Sequence, residues 1–152
     1  MHLGFNNIRN EYAMGNIMLE KTIDEKDLGV VFNSGLKVSQ QCSIASNKLG
    51  NKVLGIIKRT IVSRYKKITL PLYKSLMRPH LDHCKQIWNP FLKEDIDILE
   101  KVQKKATKMI KSCEGLDYKS RLKQTNLTSL EIWAVRADLL EVFKFFYWIR
   151  ES

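Results

Sequence analysis

The residues of this chain whose types could support chemistry are concentrated between Arg78 and Cys84, in "RPHLDHC". His80 and His83 stand three positions apart there, and Cys84 follows directly. A structural zinc site needs about four ligands, usually in two close pairs, and the sequence offers no second pair. His83 and Cys84 also make a poor base and nucleophile, because neighbours on a helix point about 100° apart. The stretch therefore predicts packing or contact with a polyanion.

Two other patterns fail as catalytic or cofactor sites. Asp24, Glu25 and Asp27 lie along one segment, whereas two-metal chemistry gathers carboxylates from separate elements. We interpret that segment as a turn that enters a strand. "LGNKVLG" lacks the spacing and the Lys-Ser/Thr pair of a phosphate-binding loop. We therefore expect no catalytic residue, no metal ligand and no cofactor in this chain.

Charge is the strongest global signal. The 152 residues carry a formal net charge of +10, and no acidic residue occurs between Asp27 and Asp82. Uncompensated cations in such a run repel one another unless a polyanion lies beside them, which favours a nucleic-acid partner. The residues predicted to contact nucleic acid are Lys48, Lys52, Arg59, Lys66, Lys67, Lys74 and Arg78.

The elements that must position these residues are mostly helical. Residues 1–35 predict β structure, with a hairpin turning at Gly15-Asn16 and a further strand over Asp27–Phe32. Residues 36–111 predict a basic helical bundle, and residues 112–152 a helical extension. In the bundle, one apolar stripe recurs at helical spacing: Val38, Cys42, Ala45, Leu49, Val53 and Ile56.

Further helices are predicted downstream. A stretch from Arg64 to Cys84 should kink or break at Pro71 or Pro79. Residues 94–111 form an amphipathic helix, and residues 118–124 a short one. The last helix begins with the capping-box pattern Thr128-x-x-Glu131. Its apolar positions recur at three and four: Ile132, Val135, Leu139, Val142, Phe146 and Ile149. Aromatic residues widen that face, so it must be covered by the bundle, a partner or another domain.

Cys42, Cys84 and Cys113 are odd in number and far apart, which favours a reducing compartment with the thiols buried as small apolar groups. No apolar run approaches the roughly 20 residues of a membrane helix, and the N-terminus lacks the pattern of a signal peptide. We expect an intracellular protein of the nucleus or cytoplasm, without a membrane partner.

Several separated blocks resemble one family. They are "MHLG", "EYAMGNIMLEKTIDEKDLGVVFNSGLKVSQQC", "LGIIKRT", "LPLYKSLMRPHLDHCKQIWNPFLKEDIDILEKVQKKATKMI" and "DYKSRL…LTSLE". In order and spacing they resemble the C-terminal part of the reverse transcriptase of non-LTR retrotransposons, the LINE, jockey-like type. The last helix departs from the family pattern, because Trp133 and Ala134 stand where relatives have basic residues.

The resemblance implies the end of the palm, the thumb and the helices after it. A family thumb grips the template–primer duplex of RNA and DNA, while palm aspartates upstream of "MHLG" perform catalysis with Mg²⁺. No residue here matches those aspartates, so we expect a fragment of an RNA-directed DNA polymerase that is inactive alone. Its partners would be the duplex and the missing palm and fingers. The alternatives are a helical protein–protein interaction module and a retroelement relic without function.

Overall fold

The computed structural model describes residues 1–4, 6–83 and 85–151. Two antiparallel hairpins come first, formed by β1 (Ala13–Met14) with β2 (Ile17–Met18) and β3 (Asp24–Asp27) with β4 (Val30–Asn33). The helices are α1 (Ser39–Asn47), α2 (Leu54–Thr60), α3 (Lys66–Leu72), α4 (Arg78–Asp82), α5 (Lys85–Trp88), α6 (Lys93–Lys108), α7 (Tyr118–Thr125) and α8 (Leu130–Glu151). The mostly helical class predicted from the sequence is confirmed.

The first predicted hairpin is present, with Gly15 at φ +63° in its turn. The second differs from the prediction of one strand over Asp27–Phe32, because the chain turns within that segment. Leu28 and Gly29 both take positive φ (48° and 82°), as a two-residue hairpin turn requires. The acidic segment predicted as a turn is therefore strand β3, and Asn33 Nδ2 donates to Asp24 Oδ1 at 2.6 Å across the pair.

Helices α1 and α2 are joined by a π-helical segment, Lys48–Val53, in which the Leu54 N–H bonds to the Leu49 carbonyl. A π turn inserts one residue into the helical period. The buried stripe consequently moves by one position after Leu49: Leu54 and Ile57 are buried, while Ile56 is exposed. The predicted stripe is correct through Leu49 and at Val53, which is half-buried against the core, and it is wrong at Ile56.

Where a kink was expected near the prolines, the chain forms a second π-helical segment. Helix α3 contains Pro71, the π-helical segment Tyr73–Met77 follows, and α4 has Pro79 in its first turn. Each proline lacks the N–H that an interior helical residue donates. The Arg78 N–H bonds to the Tyr73 carbonyl, five residues back. The helical path thus continues past both prolines and ends before His83, whose backbone is extended.

One hydrophobic core unites the hairpin, the bundle and the start of α8. Helix α6 lies at its centre and packs against α1, α7 and α8. The apolar side predicted for α6 is confirmed, since Leu99, Val102, Ala106 and Ile110 are buried. Strand β4 joins through Val30, which is 1% exposed, and through the Val31 N–H, which donates to Gln41 Oε1 at 3.1 Å. The helical bundle that carries the basic residues is therefore held in place by contacts with strand β4, helix α6 and the start of α8.

Candidate nucleic-acid interface

Lys74 and Arg78 line one open hollow between the π segment, α4 and the start of α8. Asn126, Thr128 and Arg136 complete its polar lining, with Trp133 as an apolar wall. Asp82 also lies at its edge. We call this site the Arg78 hollow. It contains three basic side chains drawn from two parts of the chain that are distant in sequence.

The Arg78 guanidinium is held in a fixed plane within this hollow. Its central carbon lies 4.4 Å from the centroid of the Trp133 ring, a cation–π arrangement. Its Nη1 atom is buried and has no hydrogen-bond partner in the structure. The guanidinium also lies against the Tyr73 side chain, with which it forms a hydrogen bond.

Helix α6 supports the hollow through a buried polar network. The Tyr73 hydroxyl donates to Gln103 Oε1 at 2.5 Å, and Gln103 Nε2 donates to the Thr128 carbonyl at 2.8 Å. Burial raises the pKa of Tyr73 to about 12, although the Arg78 charge acts in the opposite direction. Tyr73 therefore keeps its proton and its hydrogen bond, which fixes the π segment next to Lys74.

The same network fixes the start of α8. Glu100, which is buried, accepts the Leu130 N–H at 2.8 Å through Oε2 and the Tyr118 hydroxyl through Oε1. Burial raises the pKa of Tyr118 well above its usual range, and the hydrogen bond to Glu100 raises it further. Ser129 Oγ accepts the Ile132 N–H at 3.3 Å, so the side-chain cap lies one residue after the predicted Thr128. Trp133 and Arg136 are thereby placed beside Arg78.

Lys48, Lys52 and Arg59 form a second basic group, which we call the long-helix surface. All three are exposed along the helical path from α1 to α2, and the π-helical segment turns Arg59 by about 100° from the position relative to Lys48 that a regular helix would give it. Arg59 Nε donates to the Gly55 carbonyl at 3.2 Å, so its side chain lies along the helix. The face opposite them packs into the core through Leu49 and Leu54.

The long-helix surface and the Arg78 hollow lie on different sides of α4. Lys48 is close enough to His80 that its charge, after the effect of burial, lowers the pKa of the imidazole. His80 and Arg78 are two residues apart on one helix, so they point in nearly opposite directions. The seven predicted residues therefore do not converge on one point.

Lys66 and Lys67 differ in their surroundings. Lys66 Nζ donates to the Gln124 carbonyl in the last turn of α7, where a cation also suits the helix dipole. Lys67 is exposed. Within the described residues, none of the seven predicted cations forms an ion pair with a carboxylate. Their charge therefore remains available, although Lys66 and Arg59 each already donate to a backbone carbonyl.

The stretch that holds the two histidines has a packing role. His83 Nε2 lies 2.9 Å from the Leu28 carbonyl in the second hairpin turn, and the Trp88 indole N–H donates to the His83 carbonyl at 2.7 Å. Across residues 1–4, 6–83 and 85–151, no group of three or more His, Cys, Asp or Glu side chains could hold a metal ion. Cys42 and Cys113 are buried as expected, whereas Cys84 lies outside the described residues. Burial raises the pKa of the Cys42 thiol to about 12.

Arg136, Asn126 and Trp133 are the parts of the hollow that sequence reasoning missed. Arg136 retains a basic position of the last helix, but neighbouring departures from the family pattern argued against a role for that helix. The only available signal was that single arginine near the capped start of α8.

No family model matches this chain, and no curated protein or solved structure matches it significantly. In the part of the chain that the structure describes, no helix combines the length and apolar character needed to cross a membrane.

Proposed function

We propose that this chain is the thumb region of a retroelement RNA-directed DNA polymerase and that it holds the backbone of an RNA–DNA or RNA duplex. The bond-forming chemistry would belong to palm residues outside this sequence, so the chain alone would not polymerise. The proposal rests on the sequence resemblance and on the arrangement of basic side chains. It also implies work inside the cell, in the nucleus or cytoplasm, where such templates occur.

The observation that carries the proposal is that Lys74, Arg78 and Arg136 line the same open hollow. A guanidinium binds phosphate through paired N–H donors, and these charge-assisted bonds are stronger than neutral ones. Stacking on Trp133 orients the guanidinium before a ligand arrives. Asn126 and Thr128 offer neutral polar groups at the same edge, as backbone-contacting sites commonly do.

The long-helix surface supports the same function through charge alone. Lys48, Lys52 and Arg59 are exposed along one continuous helical path, and exposed cations attract phosphates without reading sequence. Because this surface and the Arg78 hollow lie on different sides of α4, they can be tested separately. Lys66 should contribute least, since its ammonium already binds the Gln124 carbonyl.

The test measures binding of the full chain to a labelled RNA–DNA hybrid by fluorescence anisotropy at several salt concentrations. Each phosphate contact contributes a slope of about −0.9 to the dependence of log affinity on log salt. Replacing Lys74 and Arg78 together by glutamine should weaken binding at least about tenfold and reduce the slope by about two. Lys52 and Arg59, replaced together, should also weaken binding.

The control pair is Lys119→Gln with Lys123→Gln, which removes the same charge from two exposed positions of α7. Binding by this pair should stay within about twofold of the original chain. An affinity that does not change with salt, or an equal loss in the control pair, would overturn the proposal. Extension of a primed RNA template by the purified chain with Mg²⁺ would contradict the assignment of catalysis to other residues.

A protein–protein interaction module is the second candidate function, favoured by the exposed apolar side chains of α8. Leu139, Phe143, Phe146 and Trp148 are each at least 64% exposed. An apolar patch of this extent on a monomer usually marks a contact site. The two functions are compatible, because the basic surfaces and the C-terminal half of α8 involve different residues.

A further inference from the structure

The outward face of α8 carries a heptad pattern that the fold of the chain does not use. Six apolar residues recur there at steps of three and four, and each exposes half or more of its surface. We call this set the α8 seam; it consists of Ile132, Val135, Leu139, Val142, Phe146 and Ile149. Such steps correspond to the a and d positions of a coiled coil.

A different face of α8 packs against the core of the chain. Leu130 is buried, Trp133 packs on the core, and Asp138 Oδ2 accepts from Asn89 Nδ2 at 2.7 Å. At 3.6 residues per turn, the middle of this inward face lies on the side of the helix away from the seam. The seam therefore faces solvent, and the part of α8 that follows Asp138 projects into solvent.

The exposed apolar area of this part of α8 approaches the area that a stable protein–protein interface buries. Phe143 and Phe145, which flank the seam, and Phe146 within it expose 65%, 60% and 66% of their surfaces. A buried aromatic side chain covers 150–250 Å², so these three rings expose roughly 300–450 Å². That matches the largest apolar patch of a typical monomer, and the remaining seam residues bring the area toward the roughly 800 Å² that each partner contributes to a standard interface.

Charges beside the seam indicate which partner fits. Glu131 occupies a g position and Arg136 the e position of the next heptad, and both are exposed. In two parallel copies of α8, Glu131 of one helix faces Arg136 of the other, which gives two opposite-charge contacts. An antiparallel pair places these residues against other positions and loses both contacts. The charges thus fit a parallel copy of the same helix.

We propose that at least one further copy of this chain covers the α8 seam, with the two α8 helices parallel. The inference does not rest on the nucleic-acid function, although the seam shares the neighbouring Arg136 with the Arg78 hollow. Since Val135, Val142 and Ile149 place β-branched residues at every d position, assemblies of three or four strands are favoured over two. Such an assembly would also bring several Arg78 hollows together in one oligomer.

The test measures the mass of the full chain in solution by sedimentation across the micromolar range. Leu139→Asp, in the seam, should convert the assembly to monomer with at least a tenfold weaker association. Leu140→Asp is the matched control, because Leu140 is 59% exposed against 64% for Leu139 but lies off the seam. It should leave the mass unchanged, and circular dichroism should show equal helix content in both variants.

A monomeric original chain at these concentrations would overturn the proposal, as would an equal effect of both aspartate variants. Binding of the monomer to vesicles of phosphatidylcholine and phosphatidylserine, lost in Leu139→Asp, would assign the seam to a lipid surface instead. The parallel arrangement has its own test. Glu131→Arg and Arg136→Glu should each weaken association, and the double variant should restore it; unchanged association in the single variants would overturn the parallel pairing.

Discussion

Glu100 determines whether α7 and α8 stay attached to α6, and its removal should be strongly destabilising. The carboxylate is 6% exposed and accepts two hydrogen bonds, from the Leu130 N–H and the Tyr118 hydroxyl. In Glu100→Ala, the buried Leu130 N–H and the half-buried Tyr118 hydroxyl lose their acceptor. A buried unsatisfied donor costs about 1–3 kcal/mol and a lost hydrogen bond to a charged group about 1.5–3 kcal/mol, so the free energy of unfolding should fall by about 2–6 kcal/mol.

A loss of this size is a large share of the 5–15 kcal/mol that stabilises a typical domain. Urea denaturation followed by circular dichroism measures it, with tryptophan fluorescence from Trp88 and Trp133 as a second probe. Asp97→Ala is the control: Asp97 is an exposed carboxylate on the same helix and should change stability by no more than about 0.5 kcal/mol.

A double-mutant cycle isolates the hydrogen bond between Glu100 and Tyr118. Tyr118→Phe alone should cost about 1–2 kcal/mol, because it leaves Glu100 Oε1 without a donor. In the Glu100→Ala background the same change should cost less, since the hydroxyl has lost its acceptor and keeps only the hydrogen bond that it accepts from Gln103 Nε2 at 3.1 Å. Additive effects, or a loss below about 1 kcal/mol in Glu100→Ala, would refute the inference that this carboxylate holds the helices together.

Three further outcomes follow from the structure. Gly29→Ala should cost about 1–2 kcal/mol more than Gly115→Ala in urea titrations, because both glycines have positive φ but a Cβ at Gly29 would lie 3.3 Å from His83 Nε2. Gly50→Ala should stabilise the chain by about 0.5–1 kcal/mol in thermal melts, since its Cβ would meet Val102 Cγ2 at an ordinary 3.8 Å within a helical segment. Because the folded-state pKa of Tyr73 is raised to about 12, the unfolded chain loses that proton first, so stability should fall as pH rises from about 10 to 12, and less steeply in Tyr73→Phe.

The elements that sequence predicted well are those whose periodicity is long and uninterrupted. Helix α6 shows this, because its apolar side holds one period from Leu99 to Ile110. The same method failed at Ile56, because a fixed period of 3.6 residues cannot account for the one residue that the π-helical segment adds. Leu28 in the second hairpin turn was missed for a related reason: a bulky residue rarely takes positive φ.

The Arg78 hollow shows how much of the candidate site could be predicted from the sequence. The sequence identified Lys74 and Arg78 as candidate contacts because no acidic residue offsets their charge in that region. It could not place Arg136 and Trp133 beside them, because that proximity depends on how Glu100 and Gln103 fix the start of α8. Nor could it distinguish Lys66, whose partner is a backbone carbonyl far along the chain.

The π-helical segment at Lys48–Val53 accommodates one residue more than a regular helix would place between the same buried contacts. If the same residues formed a regular α-helix instead, everything downstream would turn by about 100° relative to α1. Val53 and Ile56 would then carry the inward stripe in place of Leu54 and Ile57, and Arg59 would turn toward the side of Lys48. Deleting one residue within the segment would have the opposite outcome, because a regular α-helix would form with Leu54 and Ile57 still facing inward.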